Sequence, residues 1–225
     1  MPTVIHEPTT QACDRVLIEQ WTPVGVTIAS DVSGGIYVCD HAIRALHSAT
    51  TICGPALTAR CDPGDLGAVV HAIDRAEPGQ VLVVDVGGRT EYSALGELFA
   101  GAARKAGIAG IVVDGAIRDV GTLRQWTDFP IWTRAITQRA MPFKAGGEVN
   151  GVISCGSRTV RPGDLVVADA NGVAIMPVAA ARELLAAALA RLAFEQECVQ
   201  KIANGAKLAQ LFGLPAAVTC RSSTT

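Results

Sequence analysis

Apolar residues recur at helical spacing over residues 96–106 and form an unbroken apolar run over residues 111–113. The first pattern, with its charged side chains on the opposite face, predicts an amphipathic helix that ends at Gly107. The second is apolar on both faces, which is typical of a strand buried in a sheet, and we expect the chain to turn at residues 114–115. The strand therefore ends close to the dipeptide Arg118-Asp119.

This dipeptide lies where α/β proteins bind ligands, at the carboxyl end of a strand. Free N–H groups at the start of the preceding helix attract anions. These amides belong to Gly96, Glu97, Leu98 and Phe99. The planar guanidinium of Arg118 can bind the same carboxylate through paired hydrogen bonds, which leaves Asp119 to hold a cation. The segment predicts a site for a small carboxylate and a metal ion.

The remaining pattern predicts further α/β structure and then a β-rich region. Residues 13–30 predict a helix and a short extended piece, and residues 51–86 predict a strand, a helix and a strand. Residues 163–170 and 173–177 predict strands joined around Asn171-Gly172, the pair that most favours a type I′ turn. This antiparallel portion argues against a simple doubly wound fold. Residues 178–204 predict a long C-terminal helix.

Composition bounds the class of protein. A chain of 225 residues fits one compact domain, 1–225, and its 18% of charged residues is below the roughly 25% usual for soluble chains, which suggests surface hidden in an oligomer. A net charge of −2 with scattered basic residues predicts no direct nucleic-acid binding. The first residues lack a signal-peptide pattern and no apolar run is long enough for a membrane span, so we expect a cytoplasmic protein.

The thiols and imidazoles give little support for other chemistry. Seven cysteines, from Cys13 to Cys220, include no C-x-x-C pair, so we expect reduced thiols rather than disulfides or structural zinc. The four histidines include no H-E-x-x-H spacing. Asp31 and Asp40 fit capping positions better than an acidic metal cluster.

Glu97 is followed, after twenty intervening residues, by Arg118 and Asp119. With this spacing the chain resembles the RraA-like family, which contains class II pyruvate aldolases and regulators of ribonuclease E activity. The aldolases act on 4-hydroxy-4-methyl-2-oxoglutarate and 4-carboxy-4-hydroxy-2-oxoadipate. In them the acidic position is often Asp, so Glu97 departs from the pattern by one methylene. Other segments that resemble the family, in the same order, are SDVSGG near residue 31, ICGPALTARCDPGD at 52–65, PGQVLVVDVGG at 78–88 and RPGDLVVADANGVAIMP at 161–177.

The resemblance implies a mixed-sheet α/β domain of the β/β/α swivelling type. It implies a homotrimer or a dimer of trimers, with the C-terminal helix at the oligomer interface. It also implies a lyase that requires Mg²⁺ or Mn²⁺, releases pyruvate and a second oxo acid, and decarboxylates oxaloacetate as a side activity. Asp119 would bind the metal directly and Arg118 the 2-oxo acid. Glu97 and a C-terminal carboxylate would hold waters, the latter in a neighbouring subunit; Glu195 is favoured over Glu197.

The sequence leaves alternatives to this reading. The electron pair released by carbon–carbon cleavage can be accepted by a lysine imine instead of a metal-polarised carbonyl. Three of the four lysines fall on solvated helix faces, which leaves Lys144 as the one plausible amine and favours the metal. A regulator of ribonuclease E acting by protein–protein binding remains the competing function. A methyltransferase is discounted because no glycine-rich cofactor loop follows a first strand.

Overall fold

The computed structural model describes residues 2–7, 13–47 and 51–218, in which short helices and strands precede one long C-terminal helix. The strands are β1 (Val4–Ile5), β2 (Arg44–Ala45), β3 (Ile52–Arg60), β4 (Val81–Asp85), β5 (Ser93–Leu95), β6 (Gly110–Ile117), β7 (Ile131–Ile136), β8 (Glu148–Val149), β9 (Ile153–Cys155), β10 (Arg158–Val160), β11 (Leu165–Asp169) and β12 (Gly172–Met176). The helices are α1 (Arg15–Trp21), α2 (Gly25–Ser33), α3 (Gly67–Asp74), α4 (Glu97–Lys105), α5 (Val120–Leu123), α6 (Val178–Ala203) and α7 (Leu208–Leu211).

A mixed sheet forms the centre of the molecule. Strands β3, β4, β6 and β7 run parallel in this order. A helix lies in each connection from one of these strands to the next, as parallel pairing requires a crossover. Strand β3 joins two sheets: Gly54 in its first half pairs with the antiparallel hairpin β11–β12, and Leu57 in its second half pairs with β4. The carboxyl ends of β6 and β7 lie side by side at one edge.

Alternating side chains divide the molecule into four layers. Residues on one face of the central sheet, such as Leu82 and Val113, pack against α3, α4 and α5. Residues on the other face, such as Val83, pack against the inner face of the β11–β12 hairpin. The outer face of that hairpin packs against α1, α2 and α6, where the Trp21 indole N–H donates to the carbonyl of Ala181 at 3.0 Å. Two β layers therefore separate α6 from α4.

Most predicted elements are confirmed, but the extended piece predicted before residue 30 is wrong. That segment is helix α2, which begins at Gly25 with a φ of 75°. The amide of Val26 donates to Asp169 Oδ2 at 2.9 Å, so a carboxylate from the end of β11 binds the first turn of the helix. Asp31 lies inside this helix rather than at a cap.

Two predicted turns are also wrong. The turn expected at residues 114–115 is absent because β6 continues to Ile117 and Asp114 is buried within it. The β11–β12 hairpin is real, but Asp169 pairs with Gly172, so the loop residues are Ala170 and Asn171. Neither residue has the positive φ that a type I′ turn requires. The backbone N–H of Asn171 instead donates a hydrogen bond to Asp169 Oδ1 at 2.7 Å.

The long C-terminal helix is confirmed. It covers Val178–Ala203, and Gly205 follows the Asn204 cap with a φ of 88°, a conformation that favours glycine at a helix end. Within the described residues, no helix combines the length and the apolar character that crossing a membrane requires.

Candidate active site

The dipeptide Arg118-Asp119 lies at the junction of β6 and α5, as the sequence predicts. Asp119 is the second residue after the strand and adopts φ 57° and ψ 30°, the left-handed region that few non-glycine residues occupy. Such strain persists only where the surroundings enforce it, and it is enriched at ligand sites. The side chains of Arg118 and Asp119 are 43% and 41% exposed, so both can reach a ligand from solvent.

The start of α4 holds the Asp119 carboxylate in place. The amide of Glu97 donates to Asp119 Oδ2 at 3.0 Å, and Arg118 Nε lies 3.5 Å from the same oxygen. A Cβ atom on Gly96 would lie 2.2 Å from that oxygen and 2.9 Å from Arg118 Cγ. Glycine at this position is therefore a steric requirement of the contact between the helix start and the carboxylate.

The hydrogen bond from Glu97 to Asp119 changes which amides at the start of α4 can bind an anion. The Glu97 amide is already bonded to Asp119, so it is not available to a substrate carboxylate. The amide of Ala100 donates to the carbonyl of Gly96, whereas helix geometry leaves those of Leu98 and Phe99 without an intrahelical acceptor. These two amides and the Arg118 guanidinium are therefore available to an anion.

Two adjoining cavities open beside Arg118. The first, which we call the polar cleft, has a volume of about 300 Å³ and is lined by Arg118, Asp119, Ile136, Thr137 and Gln138. The second, which we call the apolar recess, has a volume of about 20 Å³ and is lined by Leu66, Ser93, Leu95, Gly96, Phe99, Arg118, Ala140, Met141 and Phe143. Arg118 is the residue that the two cavities share.

Sequence reasoning missed Thr137 and Gln138. Both follow β7, and the amide of Thr137 donates to the carbonyl of Ile117 at 3.0 Å, which brings this segment beside Arg118. The available signal was the position of residues 137–138 after the next strand along the chain, because the ends of parallel neighbours share one edge of the sheet.

Glu195, the predicted C-terminal carboxylate, is not brought to Arg118 within the chain. It accepts a hydrogen bond from Arg191 Nε at 2.9 Å on α6, and Arg191 also pairs with Asp31 of α2 at 3.1 Å. The alternative, Glu197, pairs with Lys201 at 2.7 Å. Because two β layers separate α6 from α4, either carboxylate can join the site only from another subunit.

The donor set beside Arg118 fits a hard divalent cation that keeps most of its waters. No group of three or more potential metal-ligating side chains occurs in the part of the chain that the structure describes. Asp119 Oδ1 accepts no hydrogen bond from the described residues, whereas Oδ2 is held by Glu97. Mg²⁺ is commonly bound through one or two carboxylates with water completing its octahedron. Asp119 Oδ1 therefore suits such an ion.

A second cluster of charged side chains, Arg134 with Asp114 and Asp40, stabilises the fold. The Arg134 guanidinium lies between Asp114 and Asp40, with the Nη1 contact to Asp40 at 2.9 Å, and these hydrogen bonds raise the pKa of Arg134. Asp114 also accepts from the amide of Gly156 at 2.7 Å. Since every one of these groups already has a partner, the cluster stabilises the packing of β9 on the sheet rather than binding a ligand.

The cysteines behave as buried apolar residues. Six of them are free thiols, and Cys220 lies outside the described residues. Burial raises the pKa of Cys13 to about 11 and that of Cys61 to about 12, so these thiols stay protonated at neutral pH. Buried, protonated thiols of this kind are poor nucleophiles.

Comparison with known proteins identifies the family. Residues 9–175 match the model of the RraA-like family, described as Aldolase/RraA, and the chain belongs to this family. A protein of Halalkalibacterium halodurans, provisionally named as a 4-hydroxy-4-methyl-2-oxoglutarate aldolase, is 39% identical over 160 residues, which cover 71% of this chain and 76% of that protein. A Pseudomonas paraeruginosa protein with the same name is 37% identical over 126 residues, which cover 56% of this chain and 76% of that protein.

Solved structures confirm the mixed α/β fold. An uncharacterised protein of Pseudomonas syringae pv. tomato superposes with a TM-score of 0.79 at 25% identity, over 90% of this chain and 100% of that chain. RraAS2 of Streptomyces coelicolor, described as an unusual member of the RNase ES inhibitor RraA protein family, superposes with a TM-score of 0.74 at 27% identity, over 87% of this chain and 100% of that chain. The family thus includes both aldolase and inhibitor names.

Proposed function

We propose that the protein is a divalent-metal-dependent aldolase that cleaves 4-hydroxy-2-oxo di- or tricarboxylic acids to pyruvate and a second oxo acid. The observation that carries this proposal is the pairing of a cation-binding and an anion-binding group on one wall: Asp119, held by the Glu97 amide, beside Arg118, which opens into both cavities. The aldolase names of relatives at 37–39% identity support the same reaction class.

Arg118 orients the substrate in this proposal. Its guanidinium binds the C1 carboxylate of the oxo acid through two parallel hydrogen bonds, and the free amides of Leu98 and Phe99 lie at the same helix start. The polar cleft next to it offers Thr137 and Gln138 to the oxygens of the part of the substrate beyond C3. An extended dicarboxylic acid is thereby held across the two cavities.

Cleavage is a retro-aldol step. The C4 hydroxyl loses its proton to solvent, its O–H electron pair becomes the second bond of the new C4 carbonyl, and the C3–C4 bond breaks with its electrons passing through C2 toward the C2 oxygen. A divalent cation held by Asp119 would supply Lewis-acid polarisation of the C2 carbonyl. The positive charge of Arg118 offsets the negative charge that develops on the pyruvyl fragment, and protonation at C3 then gives pyruvate. The same electron flow permits decarboxylation of oxaloacetate.

Oligomerisation completes the proposed site. Glu195 lies on α6, on the opposite side of the molecule from α4, so its participation requires a neighbouring subunit in a trimer or a dimer of trimers. This arrangement suits the low charged fraction of 18%. The competing function, regulation of ribonuclease E by protein binding, needs neither the metal nor Glu195.

The proposal is tested by pyruvate release. Purified protein, stripped of metal with EDTA, is assayed on 4-hydroxy-4-methyl-2-oxoglutarate, 4-carboxy-4-hydroxy-2-oxoadipate and oxaloacetate, with and without Mg²⁺ or Mn²⁺. The proposal predicts turnover that depends on the added metal. Full turnover without metal, together with a borohydride-reduced pyruvate adduct on Lys144, would establish an imine mechanism instead. The absence of turnover on all three acids would favour the regulator.

A further inference from the structure

The apolar recess is much smaller than the polar cleft beside it. Its volume of about 20 Å³ compares with about 300 Å³ for the cleft. A cavity of roughly 10–15 Å³ on this measure holds a single water. The recess therefore admits one group of about that size. Its deep lining consists of the buried side chains of Leu66, Leu95 and Met141.

One wall of the recess is an unusual exposed aromatic residue. Phe143 is 63% exposed, yet it stacks edge-to-face on Phe99, with ring centroids 5.5 Å apart and an interplanar angle of 79°. Burial does not explain this phenylalanine, since most of its surface faces solvent. Its contact with Phe99 instead narrows the recess next to Arg118.

A single buried carboxylate fixes the position of this wall. Asp65 accepts hydrogen bonds from the amides of Lys144, Ala145 and Gly146 at 2.9, 2.9 and 2.7 Å, and from that of Gly67 at 2.9 Å. The amide of Leu66, on the opposite wall, donates to the carbonyl of Pro142 at 3.0 Å. The two walls are thus bonded to one another through residues adjacent to them in sequence.

We propose that Phe143 is a specificity-determining residue that restricts the pyruvyl half of the substrate to an unsubstituted C3 carbon. This inference rests on the proposed function. Arg118 lines both cavities, so an oxo acid whose C1 carboxylate it binds has its C3 carbon, two bonds away, within reach of the recess. The recess holds one group of this size, the C3 methyl group of pyruvate, and has no volume left for a second methyl group on C3. Asp65 is the positioning residue for the Phe143 wall.

Deuterium exchange at C3 measures how the pyruvyl half of the substrate is accepted, without cleavage of a carbon–carbon bond. Pyruvate and 2-oxobutyrate are incubated with the protein and Mg²⁺ in D₂O, and exchange is followed by proton NMR. The C3–H bond breaks, its electrons move toward the C2 oxygen, the proton passes to solvent, and a deuteron returns to C3. The measured quantity is the rate ratio of pyruvate to 2-oxobutyrate. Because variants are compared with the parental protein, the intrinsic acidity of the two acids cancels.

An apolar pocket discriminates between two substrates that differ by one methylene group by about 10–200-fold. We therefore expect Phe143→Ala to lower the ratio at least about tenfold, chiefly by raising exchange of 2-oxobutyrate. Asp65→Asn should lower it in the same direction, because an amide cannot accept from all four N–H groups. Val16→Ala is the matched control: Val16 is also 63% exposed, but it lies on α1 in the layer across the molecule, so the ratio should not change.

The outcomes separate this inference from the function on which it rests. A parental protein that exchanges neither acid would overturn both. Parental exchange of pyruvate with an unchanged ratio in Phe143→Ala would overturn the role of Phe143 and leave the aldolase standing. Equal slowing of both acids in Phe143→Ala would also overturn it, because the residue would then only support the fold. Dissociation constants of the two acids, measured by calorimetry, should follow the same ratio.

Discussion

The backbone amide of Glu97 donates a hydrogen bond to the side chain of Asp119, 22 residues further along the chain, at 3.0 Å. This bond joins the start of α4 to the end of β6, and the second carboxylate oxygen accepts no hydrogen bond from the described residues. It also gives the Gly96 position a defined role, because any side chain there would meet the bonded oxygen.

Gly96→Ala is expected to abolish turnover while the protein remains folded. Its Cβ would lie 2.2 Å from Asp119 Oδ2, and the carboxylate, as the end of a side chain, moves more readily than the backbone. Circular dichroism and kcat/KM measure the two effects. Gly101→Ala is the matched control in the same helix: its Cβ would lie 3.6 Å from Trp126, an ordinary contact. Activity retained in Gly96→Ala would contradict the steric role of this glycine.

Arg118→Lys should fold normally but lose about one to two powers of ten in kcat/KM. An ammonium keeps the charge but cannot form the two parallel hydrogen bonds of a guanidinium, and losing one hydrogen bond to a charged group costs about 1.5–3 kcal/mol. Arg104→Lys is the control, since Arg104 pairs with Asp128 and lies over the Trp126 ring but lines neither cavity, so this variant should keep near-parental kinetics. Near-parental kcat/KM in Arg118→Lys would show that this arginine does not bind the substrate.

Mixed oligomers test whether Glu195 completes a neighbouring site. Arg118→Ala and Glu195→Ala chains should each be nearly inactive, and their co-assembly at equal ratio should leave about a quarter of the sites intact in a closed ring. The two chains carry different tags and are purified in tandem. Verified mixed oligomers without recovered activity, both for Glu195→Ala and for Glu197→Ala, would remove the shared site but not the metal at Asp119.

The lowered pKa of Asp65 predicts how the stability of the protein changes at acid pH. Burial opposes its ionisation, but the N–H groups of Gly146, Lys144, Gly67 and Ala145 outweigh this and lower its pKa from 3.8 to about 2. A lowered folded-state pKa adds stability above pH 3.8 that is lost as the pH falls through about 2. Asp65→Asn should therefore lower the free energy of unfolding at pH 7 by about 1–3 kcal/mol.

The pH dependence of the free energy of unfolding tests whether the charge of Asp65 stabilises the protein. Urea unfolding curves of the parental protein and Asp65→Asn should converge as the pH is lowered from 3.8 to about 2, because the parental carboxylate becomes protonated over this interval. A difference between the two proteins that stays constant over the same interval would show that Asp65 stabilises the loop by some means other than its charge.

Local pattern predicted the parts of the site that lie on regular elements. The spacing of apolar residues over 96–106 and the run at 111–113 were enough to place α4 and β6, and hence Arg118, at one sheet edge. The bond from Glu97 to Asp119 was not predictable, because it depends on how a helix start and a strand end approach one another. The same holds for the Phe99–Phe143 contact that narrows the recess.

The errors arose where long-range partners outweigh local preference. Asp114-Gly115 is a typical turn pair, yet β6 continues through it because Arg134 and the amide of Gly156 satisfy the buried carboxylate. Helix α2 forms in a segment of weak pattern because Asp169 caps its first turn from another layer. Glu195 is different: the resemblance implies that it acts from a neighbouring subunit, which its place on α6 of a single chain does not test.

The central claim is that Asp119 holds the divalent cation, and Mn²⁺ binding measured by electron paramagnetic resonance tests it without turnover. Free Mn²⁺ is titrated against the parental protein, Asp119→Asn and the control Asp128→Asn, each with pyruvate present. We predict that the parental protein and Asp128→Asn bind about one Mn²⁺ per chain, because one carboxylate with substrate oxygens and water completes the coordination, and that Asp119→Asn binds none at the same concentrations. Equal Mn²⁺ affinity in Asp119→Asn and the parental protein would contradict the claim.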